Sequence, residues 1–105
     1  MCTTGLNPKK VRSISRIDEI LKKESFTGFI IGKTDNCERR KAEHENEGFL
    51  YFEKLVDCND LDEANDLEKL LINYYKQNDK LLNEKPGGEG RYSKNKEYYI
   101  YVVFK

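Results

Sequence analysis

Three short runs rich in aromatic and β-branched residues alternate with helical stripes, and that alternation limits what this chain can fold into. The runs are 26–33, 49–56 and 97–105. Each is strand-like in length and content, and Gly32 and Gly48 punctuate them. The last, EYYIYVVFK, places Tyr98, Ile100, Val102 and Phe104 on one face and Tyr99, Tyr101 and Val103 on the other.

Helical patterns fill the gaps. Ser15 with Asp18 three residues on reads as a helix start, followed by Ile17, Ile20 and Leu21 up to about residue 24. Residues 11–15 read as extended and residues 1–10 as a flexible arm, so the single domain is expected over 11–105. A very polar helix is expected over 36–46, capped by Thr34 or Asp35 and closed by Gly48. Asp60 with Glu63 forms a capping pattern for a third helix, whose apolar stripe is Ala64, Leu67, Leu70, Leu71 and Tyr74. About three strands and three helices in 105 residues make one α+β domain, a small, mainly antiparallel sheet flanked by helices.

Charge narrows the function classes. Lys and Arg balance Asp and Glu at 19 each, which argues against a generic coat for polyanions. The balance is uneven along the chain. Residues 1–43 carry ten basic against six acidic side chains, residues 44–72 two against nine, and residues 73–105 seven against four. Folding can therefore bring two basic ends together. No run approaches the roughly 18 apolar residues of a membrane span, and the opening residues lack the apolar stretch of a signal peptide. Cys2, Cys37 and Cys58 are odd in number and unpaired in spacing, as expected of free thiols in an intracellular setting, cytoplasm or nucleus.

Two motifs fail on their chemistry. Gly-Lys-Thr at 32–34 suggests a phosphate loop, but only Phe29, Ile30 and Ile31 separate it from Gly28. The loop needs four intervening residues that can curl around phosphate, and these three suit a buried strand. Residues 57–68 echo a calcium loop, but its obligatory glycine is Asp62. Cys37, His44 and Cys58 lack the paired spacing of a zinc site.

The polar helix is more informative. Arg39, Arg40, Lys41 and His44 lie on it, and Arg40 and His44 are four residues apart, hence on one face. A guanidinium beside an imidazole suits a phosphodiester: the first stabilises charge on the oxygens, the second moves a proton.

The run IIGKTDNCERRKAEH resembles the second motif of the GIY-YIG nuclease family. Ile31, Gly32, Thr34, Asn36, Arg40 and His44 fall into its pattern without gaps. FEKLVDC resembles the family's third strand, and DLDEANDLEKLLINYY its helix, with Ala64 and Glu68 in register. DKLLNEKPGGEG resembles the stretch that follows, with Asn83 before a Gly-rich turn. The resemblance covers residues 28–90.

It implies a GIY-YIG-like fold and a metal-dependent endonuclease that hydrolyses DNA phosphodiesters. Arg40 then corresponds to the catalytic arginine, and Glu68 to the single carboxylate that holds Mg²⁺ or Mn²⁺. His44 supports the site and Asn83 braces it, while Gly32, Lys33 and Arg39 lie where substrate phosphate is met. The alternative is a catalytically degenerate module of the same fold that binds nucleic acid or protein. Specificity would come from a partner protein. The sequence departs from the family at two points. Ile30 stands where the second motif has tyrosine, and the Gly-Ile-Tyr strand is replaced by the helical SRIDEILKKESF. EYYIYVVFK is expected to take the missing strand's place, as in a circular permutation, with Tyr99 and Tyr101 reaching the site.

Overall fold

The structure, a computed structural model, describes residues 7–83 and 97–105. Helix α1 spans Pro8–Lys23. It starts well before Ser15. The Asn7 side chain accepts from the backbone N–H of Lys9 at 3.0 Å and Lys10 at 3.3 Å, and Pro8 supplies a preset φ at the first helical position. The expectations of an extended 11–15 and a cap at Ser15 are thereby corrected, and Pro8–Lys10, expected in the arm, are helical. Asn-Pro is the stronger start signal, and Ser15 lies in the helix interior.

Strand β1 is Phe29–Thr34 and helix α2 is Cys37–Asn46. The cap of α2 is Asn36, whose side chain accepts from the Arg39 N–H at 3.0 Å. Thr34 instead turns the chain, its hydroxyl accepting from the Asn36 N–H at 3.0 Å. Gly48 closes the helix with φ +98°, a conformation that favours glycine. Strand β2 is Tyr51–Cys58, two residues later than its pattern suggested, with an irregularity between Lys54 and Val56. Helix α3, Leu61–Tyr74, starts at the expected cap, with Asp60 accepting from the Glu63 N–H at 2.8 Å. Its stripe is rotated from the expected one. Leu70 and Tyr74 are exposed, and Glu68 and Ile72 are buried with Ala64, Leu67 and Leu71. Strand β3 is Tyr98–Phe104.

The sheet order is β1-β3-β2, and both pairings are antiparallel. The fold is α+β, with the strand latest in sequence at the centre. A central strand needs cover on both faces, and β3 has apolar residues on both. Ile100, Val102 and Phe104 pack with Phe29 and Ile31 against Ile17 and Ile20 of α1 and Ala64, Leu67 and Leu71 of α3. Tyr101 and Val103 face the other way, toward Phe49, Ile30 and Phe52. Arg16 of α1 pairs with Glu53 of β2, tying helix to sheet. No helix among the described residues is long and apolar enough to cross a membrane.

Residues 80–83 run along β1. The Phe29 N–H donates to the Lys80 carbonyl at 2.9 Å, and the Leu82 N–H to the Phe29 carbonyl at 2.8 Å. The Asn83 side chain continues the ladder, accepting from the Ile31 N–H and donating to its carbonyl, both at 2.9 Å. The Gly-rich turn expected after Asn83 lies outside the described residues.

Candidate functional site

The register of the sheet sets Tyr101 opposite Gly32. With no Cβ at Gly32, the Tyr101 ring lies across β1; a Cβ there would come within 2.5 Å of its Cζ. The ring stacks on Phe52 at 5.0 Å between centroids and is 1% exposed. Its hydroxyl accepts from Arg40 Nη2 at 3.1 Å and meets His44 Nε2 at 2.9 Å. His44 Nδ1 lies 2.9 Å from Glu47 Oε1.

These contacts assign the protons. Arginine only donates and the carboxylate only accepts, so the consistent arrangement has Nδ1–H donating to Glu47 and the Tyr101 O–H donating to Nε2. Arg40, His44 and Tyr101 thus meet, and Glu47 orients the imidazole. Glu47 has no counterpart among the residues singled out from sequence. Its spacing of three from His44 on a helix end is the signal that was available.

On the opposite face of the sheet, toward α3, stands a buried ion pair. Lys33 Nζ stands 3.1 Å from Glu68 Oε1, and the two side chains are only 7% and 5% exposed. Burial raises the Glu68 carboxyl pKa, against the pull of Lys33 and Arg40. Burial likewise raises the Tyr101 phenol against Arg40, so the hydroxyl keeps its proton at neutral pH. For Arg40, burial opposes the charge, but Tyr101 and Glu43 outweigh it and the guanidinium pKa rises. Arg40 is also the open member of the group, 37% exposed, with Nη1 on Glu43 at 2.7 Å.

Other expected residues stand apart. Arg39 pairs with Asp35 at 3.5 Å and reaches toward Glu43 at 3.9 Å. Tyr99 lies under Lys54, whose Nζ is 5.0 Å from its ring. It shares Tyr101's face, but its partner on β1 is Thr34, which has a side chain where Gly32 has none. Asn83 braces the β1 backbone at Ile31, one residue from Gly32. Ile30 packs against the cluster of Phe49, Tyr101 and Val103. The thiols of Cys37 and Cys58 are free, and burial pushes both pKa values up, Cys58 to about 11, which suits neither a nucleophile nor a metal ligand.

Among the described residues no group of three or more His, Cys, Asp or Glu stands together. Glu68 is a single carboxylate, with one oxygen already on Lys33.

Comparison with protein-family models, with curated proteins and with solved structures finds no match for this chain.

Proposed function

We propose that this chain is an endonuclease of GIY-YIG type, acting on DNA phosphodiesters through Arg40, His44 and Tyr101. The observation that carries the reading is the Tyr101 hydroxyl, held between Arg40 at 3.1 Å and His44 at 2.9 Å. Arg40 and His44 are the pair that the resemblance to the family singles out, and the tyrosine missing from position 30 has its chemical equivalent on β3.

Arg40, the exposed member, meets the phosphate first and stabilises charge on its non-bridging oxygens. Tyr101 and His44 form a proton path. Tyr101 Oη takes a proton from the attacking water while passing its own to His44 Nε2, and Glu47 steadies the imidazolium that forms. The water oxygen bonds to phosphorus as the bond to the leaving oxygen breaks; the leaving oxygen takes a proton from solvent, and the His44 imidazolium then gives its own back to solvent.

The test is nicking of supercoiled plasmid, with Mg²⁺, with Mn²⁺ and with EDTA. Arg40→Ala and Tyr101→Phe should each lower the rate by about 100-fold or more, the usual scale for losing one transition-state donor. A second reading, a binding module of the same fold, is favoured by how closed these groups are: His44, Glu68 and Tyr101 are buried, and the Lys33 side chain is 7% exposed. Salt-sensitive DNA binding without nicking selects that reading. Absence of both activities rejects the two together.

A further inference from the structure

The family resemblance asks Glu68 to hold a divalent cation, and the arrangement of charge around Glu68 speaks against it. A hard divalent ion takes about six or more oxygen ligands, and protein sites for it offer carboxylates, carbonyls and room for water. Glu68 offers one carboxylate, 5% exposed, with Oε1 on the Lys33 ammonium at 3.1 Å. A divalent ion entering there would compete with the Lys33 ammonium for the same carboxylate oxygen. It would also have to drive Lys33, 7% exposed, out of a buried pair.

We infer that the Lys33 ammonium is the resident cation of this site, filling the place a divalent metal would need, and that the chain engages phosphodiesters without divalent metal. Lys33 is fixed there by sequence and fold together. It follows Gly32 on β1, opposite Ile100, and points to the α3 side of the sheet, where Glu68 occupies a helix position otherwise given to core residues. The second clause of the inference rests on the nuclease reading; the first does not.

Two measurements on the full chain test the first clause without nucleic acid. Electron paramagnetic resonance of Mn²⁺ should show no binding to the wild type. The thermal midpoint should be the same in MgCl₂ as in EDTA, because an ion bound only by the folded state would raise it. Lys33→Ala, which vacates the place beside Glu68, should gain a Mn²⁺ signal that the double variant with Glu68→Gln loses. Mn²⁺ binding by the wild type that Glu68→Gln abolishes overturns the inference, and so does a folded Lys33→Ala that gains none. If that variant does not fold, the wild-type midpoint decides: a rise with MgCl₂ overturns, no rise supports. For the second clause, DNA nicking or binding should be unchanged within about twofold between EDTA and MgCl₂, and a requirement for metal overturns it. Loss of all DNA activity would reject the nuclease reading while leaving the Mn²⁺ result standing.

Discussion

Tyr101→Phe removes one oxygen from the centre of the cluster and little else, which makes its cost calculable. The ring contacts survive, including the stack on Phe52 at 5.0 Å and the close approach to Gly32. Two hydrogen bonds are lost. The one from Arg40 involves a charged donor, a class that contributes roughly 1.5–3 kcal/mol. Arg40 is 37% exposed and can turn to water, so its share falls at or below the low end. The bond to His44 is different. Nε2 is left as a buried acceptor without a partner, at a cost of roughly 1–3 kcal/mol, because the His44 side chain is only 7% exposed. The total is about 2–3 kcal/mol. For a domain of this size each kcal/mol moves the midpoint by about 4–8 °C, so Tm should fall by roughly 10–20 °C. Urea unfolding followed by far-UV circular dichroism measures the same loss at constant m. A double-mutant cycle with His44→Phe should return a coupling of about 1 kcal/mol. A Tyr101→Phe variant within about 0.5 kcal/mol of wild type, the range of an ordinary surface substitution, would refute the closed network and the proton path built on it.

Gly32→Ala should destabilise by roughly 1–3 kcal/mol, because the new methyl meets the Tyr101 ring; in a Tyr101→Ala background the cost should largely vanish, and an equal cost in both backgrounds would sink the explanation. Arg16→Ala tests the pair that ties α1 to β2. Its hydrogen bonds hold the Glu53 carboxyl below the ordinary value of 4.5, and they hold Glu19 down as well. A lowered carboxylate stabilises the fold above its unfolded pKa and loses that contribution as pH falls through the folded value. The stability gap between wild type and Arg16→Ala should therefore be steady near neutrality and close below about pH 4.5, as read from urea midpoints along a pH series; a gap that persists unchanged into acid would contradict it.

Local chemistry was legible in the sequence, and long-range pairing was not. Asp60, Glu63 and Gly48 act within one helical turn, so spacing alone located them. The start of α1 was equally local but was obscured by a competing pattern at Ser15 and Asp18, although Asn7-Pro8 is the better cap. On α3 the positions 64, 67, 68 and 71 already form a helical stripe, and Glu68 on that stripe announces a buried carboxylate in need of a partner. Its partner, Lys33, lies 35 residues away and becomes visible only in the fold. The choice between Tyr99 and Tyr101 likewise turned on register, since only the second faces a glycine.

That register also links the site to the folding of the whole sheet. β1 and β2 do not pair with each other, and each is joined to the sheet through β3. Phe29 pairs with Phe104 and Tyr51 pairs with the same residue from the other side, so the contacts span about three quarters and about half of the chain. Such non-local pairing forms late, after the loop-closure entropy has been met. Tyr101 reaches Arg40 and His44 through that event alone, because it rides on the central strand. A chain whose β3 has not inserted therefore has Arg40 and His44 on a loose polar helix, with no hydroxyl between them and no cover for Phe49 and Ile30. Assembly of the sheet and assembly of the contacts of Tyr101 with Arg40 and His44 are one step, and a substitution that weakens β3 pairing should lower stability and loosen those contacts together.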